Sequence, residues 1–201
     1  MSTDNLKNTF ILLIGFAGTG KYTIGRELCR RTGAKLIDNH LINNPIFKVV
    51  NADGVTPLPA AVWEKVKDIR RTVYDAIREL SSPESSFVFT MELRQSNPGD
   101  HRAFLDLQEL AAARQSLFVP VRLFCDVDEL CRRVGDPGRA EMLKEICPEN
   151  ARKKCEDDSV LNPEHQNLRT VDVSLKSPLE SSNAVLNEVN LIRIASGLNR
   201  R

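Results

Sequence analysis

The sequence predicts an α/β fold built around a parallel β-sheet. Short apolar segments alternate along the chain with longer segments whose apolar residues recur at helical spacing, as in sheets whose strands are joined by crossover helices. The first apolar segment, residues 10–14, leads directly into a glycine-rich loop, residues 15–21, and then into a helical segment. This order places a sharp glycine turn at the end of the first strand, where α/β sheets bind ligands.

The elements follow one another in regular alternation. The predicted strands are residues 10–14, 34–37, 87–90, 117–125 and 170–174. The predicted helices are residues 21–31, 60–80, 100–115, a short helix after residue 126, and 178–195. Pro120 lies inside the fourth strand and predicts an edge position or an irregular start, because proline cannot donate to the ladder. Asp126 is predicted to cap its helix, with Glu129 as its partner in a capping box.

We expect residues 1–201 to form one domain, since no internal repeat or low-complexity tract divides the chain. Two stretches interrupt the alternation. Residues 39–80 begin with turn signals at Asn43-Asn44-Pro45 and Asp53-Gly54 and continue into a long helix, so they form a predicted insert. Residues 132–166 are polar around a glycine-proline break and form a predicted lid, with a helical insert or flap from residue 139 onward.

Composition and charge exclude several classes of protein. The net charge of +1 argues against a general electrostatic grip on nucleic acid or on an anionic membrane. No apolar run approaches the roughly 20 residues of a membrane helix, and the N-terminus lacks the pattern of a signal peptide. The five cysteines show no C-x-x-C spacing and indicate neither a disulfide framework nor a zinc site. We therefore expect a cytoplasmic protein without a nucleic-acid or membrane partner.

The glycine-rich loop has the spacing of a phosphate-binding loop. Residues 15–21 are Gly-Phe-Ala-Gly-Thr-Gly-Lys. Glycines allow successive backbone N–H groups to point at an anion, and the N-terminus of the next helix adds partial positive charge. Lys21 is expected to face solvent without ligand and to reach the β- and γ-phosphates of a nucleotide. The predicted nucleotide-binding residues are Gly15, Phe16, Ala17, Gly18, Thr19, Gly20, Lys21, Tyr22 and Thr23.

Two features of the loop leave alternatives open. Tyr22 occupies the position where serine or threonine normally binds Mg²⁺, and Thr23 points about 100° away from it on a helix. The metal ligand is therefore unassigned, with Thr23, Asp38 and Glu92 as candidates. The glycines also match the first half of the dinucleotide fingerprint G-x-G-x-x-G, but Thr23 stands at the third glycine position. Nucleotide phosphate binding is the favoured interpretation.

The order of motifs resembles that of small P-loop kinases, such as shikimate kinase, gluconate kinase and chloramphenicol phosphotransferase, and of AAA-type ATP-binding proteins. The resemblance rests on the loop, on Asp38 after the second strand, on the arginine-bearing break after the fourth strand and on residues 172–178. Its sharp motifs cover the first 40 residues and the lid. It implies a P-loop NTPase fold, a three-layer sandwich with a five-stranded parallel sheet, one strand inserted between the first two, and helices on both faces.

The resemblance also implies ATP as donor, Mg²⁺ as cofactor and a small-molecule hydroxyl as acceptor, held by the insert and the lid. Asp38 would orient that hydroxyl and take its proton; the alternative is that it caps a turn. Arg133 and Arg139, with Arg132 beside them, would neutralise the transferring phosphoryl group; the alternative is a solvated basic helix end. With Lys21, these make four candidate catalytic residues, Lys21, Asp38, Arg133 and Arg139.

Weaker candidates rest on position. The segment Ser174–Pro178 would line the adenine, or form a plain strand-to-helix turn. Thr90, Glu92 and Arg94 follow the third strand, and Asn39 and His40 follow Asp38. Arg70 and Arg71 are expected to be solvated, and Trp63 to be a core residue or a pocket wall.

Two functions are compatible with these features. The first is a small-molecule kinase, and the second is a nucleotide-binding module that hydrolyses ATP slowly or not at all and regulates a partner. Tyr22 favours the module, because impaired metal binding suits a switch. The compact build, without a docking tail or repeat, favours the kinase. The acceptor, the choice between ATP and GTP, and the oligomeric state are not encoded in any motif of this sequence.

Overall fold

A computed structural model describes residues 5–197 as a parallel five-stranded sheet between two layers of helices. The strands are β1 (Thr9–Ile14), β2 (Lys35–Asp38), β3 (Phe87–Met91), β4 (Leu117–Phe124) and β5 (Arg169–Asp172). The helices are α1 (Lys21–Thr32), α2 (Asn39–Val49), α3 (Ala60–Leu80), α4 (Pro98–Ala113), α5 (Val127–Val134), α6 (Pro148–Asp157) and α7 (Pro178–Ala195), with a 3₁₀ helix at Pro137–Met142. The predicted fold class is confirmed.

The central strand β1 is apolar throughout because both of its faces are buried. Ile11 and Leu13 face the layer formed by α1, α5 and α7. Phe10, Leu12 and Ile14 face the layer formed by α3 and α4. None of the helices in residues 5–197 is long and apolar enough to cross a membrane.

The sheet order is β2-β3-β1-β4-β5, with every pair parallel. The third strand therefore lies between the first two, as the resemblance implies. Ile14 at the end of β1 is in register with Met91 at the end of β3, and Asp38 is in register with Thr90. The carboxyl ends of β1, β2 and β3 thus lie side by side, and the segments that follow them share one edge of the sheet.

Of the two alternatives predicted for Pro120, the edge strand is wrong, because β4 lies between β1 and β5 and pairs with β1 from Leu117 to Arg122. The carbonyl oxygens of Phe118 and Phe124 both accept hydrogen bonds on the β5 side, at 3.0 and 2.8 Å. By the two-residue alternation of a strand, Pro120 presents its backbone to the same side. Pairing with β5 begins only at Val121, so the missing N–H interrupts no ladder bond there.

The turn predicted at Asn43-Asn44-Pro45 is also wrong, since these residues lie inside helix α2. Asp38 caps this helix by accepting a hydrogen bond from the backbone N–H of His40. Tertiary packing outweighs the proline, because Ile42 and Phe47 are buried against Val62 and Val66 of α3. We call these four residues, Ile42, Phe47, Val62 and Val66, the insert cluster.

Asp126 caps α5 as predicted, accepting from the backbone N–H groups of Asp128 and Glu129. The capping box is not completed, because the N–H of Asp126 donates to the Ser174 hydroxyl at 2.9 Å. The Glu129 carboxylate instead pairs with arginines of its own helix. Beyond α5, only part of the predicted flap is helical, and Leu161 in its extended part is buried in the sheet core.

Candidate nucleotide-binding and phosphoryl-transfer site

The loop between β1 and α1 has a backbone that only glycine adopts readily. Gly18 and Gly20 have φ angles of +88° and +83°, in the left-handed region. A Cβ at Gly18 would lie 2.7 Å from the carbonyl oxygen of Leu130, so the loop packs directly on α5. The buried Thr19 hydroxyl donates to the carbonyl oxygen of Phe16 at 2.9 Å and closes the turn. The loop therefore has a fixed shape that depends on small residues.

Lys21 begins α1 and folds back across the loop. Its ammonium donates to the carbonyl oxygens of Gly15 and Phe16 at 2.7 and 2.8 Å. Burial lowers the pKa of Lys21 to about 8, while Glu92 is the largest opposing influence and Arg139 adds to the lowering. The expectation that this lysine faces solvent is wrong, because the loop supplies its own hydrogen-bond acceptors.

A carboxylate also contacts the loop. Glu92 follows β3, and its Oε2 accepts a hydrogen bond from the backbone N–H of Ala17 at 3.0 Å. Its Oε1 lies 3.4 Å from the ammonium of Lys154 in α6, which also lies 2.9 Å from Glu145. Burial opposes the charge on Lys154, but the two carboxylates outweigh it and raise its pKa. Glu92 thus links the loop to the lid and satisfies the backbone N–H of Ala17.

Asp38 is the last residue of β2 and lies in register with Thr90, near the carboxyl end of β3. Its Oδ1 accepts from the Thr90 hydroxyl at 2.5 Å, and its Oδ2 accepts from the backbone N–H of His40 at 3.2 Å. Thr90 lies within β3 and also accepts from the N–H of Asn39 at 3.1 Å. The carboxylate therefore caps a helix, yet each oxygen keeps a second lone pair for a ligand. Asp38 also interacts electrostatically with Lys21.

Arg133 connects α5 to the segment after β5. Its Nη2 donates to the carbonyl oxygens of Val173 and Ser174 at 3.0 and 2.6 Å, and its Nε donates to Glu129 at 2.7 Å. Beside it lies a cleft of about 490 Å³ between the loop and the start of α7. Residues lining this cleft include Gly20, Thr23, Arg132, Arg133, Ser177 and Pro178. The predicted adenine segment therefore runs along a cleft that adjoins the phosphate loop.

Arg139 and Lys144 lie in the segment between α5 and α6 and converge on Lys21. The Nε of Arg139 donates to the carbonyl oxygen of Glu145 at 2.9 Å. Both cations interact electrostatically with Lys21, and burial lowers the pKa of each. Asp38 acts in the opposite direction on Lys144. The sequence analysis missed Lys144, because a single lysine in a polar segment carries no motif.

Among the remaining predicted residues, those beside Asp38 stay near the site and the others take different partners. The ring of His40 contacts the Asn44 side chain at 3.0 Å, and burial lowers the pKa of His40. Arg94 lies 3.9 Å from Asp100. Trp63 is 42% exposed and packs edge-on against the ring of a buried phenylalanine, 5.7 Å away. On α3, Arg71 is exposed as expected, whereas the expectation is wrong for Arg70, which is half-buried and whose buried Nε has no hydrogen-bond partner among the described residues.

The site offers oxygen ligands that suit Mg²⁺, although the usual hydroxyl is replaced by the ring of Tyr22. The Thr23 hydroxyl donates to the carbonyl oxygen of Gly20 at 2.9 Å. No group of three histidine, cysteine or acidic side chains able to hold a metal occurs within residues 5–197. The carboxylates of Asp38 and Glu92 are hard oxygen donors of the kind Mg²⁺ accepts, in company with nucleotide phosphates. These two residues fit the ion as partial ligands.

The fold and the loop define a P-loop kinase architecture. No protein-family model matches the sequence, and no curated protein matches it. Among solved structures, the chain is similar to a gluconokinase from Sinorhizobium meliloti 1021, with 13% identity, a TM-score of 0.62, and coverage of 98% of this chain and 100% of that chain. Shikimate kinase from Aquifex aeolicus has 14% identity, a TM-score of 0.52, and coverage of 92% and 99%.

A further similar structure is the tunicamycin resistance protein of Deinococcus radiodurans. It shares 14% identity and has a TM-score of 0.56, with coverage of 90% of this chain and 95% of that chain. The likeness extends over nearly the whole of each chain, while the identities are low. It establishes the P-loop kinase fold for this protein.

Proposed function

We propose that this protein is an ATP-dependent kinase that transfers the γ-phosphate of ATP to a hydroxyl group of a small molecule. The proposal rests on one observation: the phosphate loop, with Lys21 folded across it, and the Asp38 carboxylate lie at the carboxyl ends of strands on the same edge of the sheet. Arg139 of the lid is among the charges that act on Lys21. Phosphoryl transfer requires in-line positioning and charge neutralisation more than covalent chemistry. A cation, a carboxylate and a second cation around one edge of the sheet supply both. The similarity to structures of named kinases supports the same conclusion.

Nucleotide binding begins at the loop. The phosphates accept hydrogen bonds from the backbone N–H groups of residues 15–21 and from the N-terminus of α1. Lys21 exchanges the carbonyl oxygens of Gly15 and Phe16 for phosphate oxygens, and the Ala17 N–H exchanges Glu92 for phosphate. The base occupies the cleft beside Arg133. Bound Mg²⁺ would neutralise phosphate charge, with Glu92 as its protein ligand, which leaves Asp38 for the acceptor.

The acceptor lies over the carboxyl end of β2. Asp38 orients the acceptor hydroxyl and takes its proton as the new P–O bond forms. The Thr90 hydroxyl and the His40 N–H fix this carboxylate in place. Arg139 places positive charge beside the transferring group. The insert, residues 39–80, and the lid, residues 132–166, enclose the acceptor and exclude water, within one catalytic unit of residues 1–201. A cytoplasmic location would give this unit access to ATP.

A regulatory nucleotide-binding module is the second candidate. Two observations favour it: Tyr22 replaces the metal-binding hydroxyl, and the Glu92 carboxylate already contacts the loop at Ala17. Both features would slow turnover without preventing nucleotide binding. The two candidates differ in one measurable property, which is the stimulation of ATP turnover by an acceptor.

The test is ADP release from ATP·Mg²⁺ with and without a protein-free metabolite extract. Lys21→Ala is the blank, and Lys7→Ala, at an exposed lysine that pairs with Glu84, is the matched control. Thermal melting of each variant checks that it is folded. ADP release that needs the extract, persists in Lys7→Ala and is lost in Lys21→Ala supports the kinase. ATP binding without stimulation by the extract favours the regulatory module.

A further inference from the structure

The ring of Tyr22 holds a cation from the lid. The ammonium of Lys144 lies 4.3 Å from the ring centroid, and the guanidinium carbon of Arg26 lies 5.6 Å from it. A cation within about 6 Å of an aromatic face is attracted by the ring quadrupole. Tyr22 is the second residue of α1, directly after Lys21. The residue that replaces the usual hydroxyl therefore fixes a positive charge beside the phosphate loop.

The backbone around Lys144 is constrained to deliver this side chain. Leu143, the preceding residue, has a φ of +54°, which is rare for a large side chain. Its side chain packs against the insert cluster. On the other side, a Cβ at Gly54 would lie 2.5 Å from the carbonyl oxygen of Lys144, so the insert and the lid touch at this residue. A strained conformation persists only where its surroundings enforce it, and such residues concentrate at functional sites.

The charged groups around Lys21 do not neutralise one another, so the site can accept an anion. Its electrostatic partners are two carboxylates, Asp38 and Glu92, and two cations, Arg139 and Lys144. Together with Lys21 itself, and with Lys154 beside Glu92 and Glu145 beside Lys154, four cationic groups face three carboxylates, and the set carries a net positive charge. Burial lowers the pKa of Lys144, whereas Asp38 opposes that change. A ligand with several negative charges, such as a nucleoside triphosphate, would balance this set.

We propose that Lys144 is a further catalytic residue that contacts the terminal phosphate of bound nucleotide, and that Tyr22 is a positioning residue that holds Lys144 there through its ring. The proposal rests on the proposed function of the site. A serine or threonine at position 22 would supply a ligand for Mg²⁺. Tyr22 instead holds the Lys144 ammonium of the lid at this place. Lys144 acts as a hydrogen-bond donor and point charge, and forms no covalent bond with the nucleotide.

The test measures ATP and ADP affinity in the presence of EDTA, by competition with a fluorescent nucleotide, in the full-length chain. Lys144→Met removes the charge. Tyr22→Leu removes the ring, and Tyr22→Phe keeps the ring but removes its hydroxyl. Arg26→Met is the matched control, because it removes the other cation that contacts the same ring. Thermal melting shows which variants are folded.

Loss of a charged hydrogen bond predicts that Lys144→Met weakens ATP binding by about 10- to 100-fold. The loss should be smaller for ADP, which lacks the terminal phosphate. Tyr22→Leu should also lower ATP affinity, and Tyr22→Phe, which keeps the ring, should restore most of that loss, whereas Arg26→Met should bind as the wild type does. Because the two residues act as one unit, the double variant Tyr22→Leu/Lys144→Met should have an ATP affinity no lower than that of the single variant with the lower affinity.

Three results would overturn the inference: equal losses for ATP and ADP in Lys144→Met, wild-type affinity in folded Tyr22→Leu, or losses that multiply in the double variant. The proposed function fails separately. If Lys21→Ala binds ATP as the wild type does, the nucleotide site itself is misassigned. If binding depends on Lys21 but not on Lys144, only the present inference is wrong.

Discussion

Raising the pH from 7 to 9 should weaken ADP binding because Lys21 loses its proton over this range. Burial holds the pKa of this lysine at about 8 in the free protein. Phosphate oxygens attract the protonated ammonium, so the pKa rises when a nucleotide binds. Between the two values, the complex holds more protons than the free protein, and linkage requires that affinity fall as the pH rises. The same relation predicts net proton uptake on binding near pH 8.

The magnitude follows from the midpoint. With a pKa of about 8, the protonated fraction of Lys21 falls roughly tenfold between pH 7 and pH 9. If only the charged form binds phosphate, ADP affinity falls by the same factor. Glu92 is the largest influence that raises this pKa, so Glu92→Gln should move the midpoint below 8.

Isothermal titration calorimetry in buffers of different ionisation enthalpy measures both the affinity and the proton uptake. Lys21→Arg is the control, because a guanidinium stays charged throughout this range, so that only the titration of the nucleotide and of the other groups, Lys144 among them, is left. Equal ADP affinities at pH 7 and pH 9 in the wild type would refute the reasoning. If the ADP affinity of Lys21→Arg falls with rising pH as steeply as that of the wild type, the effect belongs to another group.

Three further predictions concern single residues. Asp38→Asn should lower acceptor-dependent ADP release by about 10²-fold or more with ATP affinity nearly unchanged, and unchanged turnover would remove Asp38 from the mechanism. Gly18→Ala and Gly33→Ala each place alanine at a positive φ, at a cost of about 1–2 kcal/mol. Only Gly18→Ala also drives a Cβ to 2.7 Å from a carbonyl oxygen, that of Leu130. The melting temperature measured by calorimetry should therefore fall further in Gly18→Ala than in Gly33→Ala. Arg133 lines the cleft proposed for the base, which AMP and ATP share. Arg133→Met should therefore weaken binding of AMP and ATP alike, by about tenfold or more. Arg30→Met, at an exposed arginine outside this cleft that pairs with Glu27, should bind both as the wild type does. Equal effects of the two changes would show that Arg133 has no special role.

Local sequence was sufficient where a pattern has one structural solution. The alternation of apolar and helical segments predicted all five strands, and the spacing of residues 15–21 predicted a loop at the end of β1. The α2 helix was missed because Pro45 and its asparagine neighbours favour turns locally. Burial of Ile42 and Phe47 against α3 reverses that preference, and this burial depends on residues far along the chain.

For the candidate site, too, local sequence predicts some features and tertiary structure decides the others. The sequence by itself determined the loop, its lysine and the carboxylate after β2, because strand ends and glycine spacing are local properties. Only the tertiary structure decided that Lys21 folds onto its own loop, that Glu92 contacts Ala17, and that Lys144 packs on Tyr22. The Glu92 and Lys144 contacts join segments that are distant in the chain, and the Lys21 contact depends on the folded shape of the loop. The energies of all three arise from burial and charge in three dimensions. No periodicity along the chain records them.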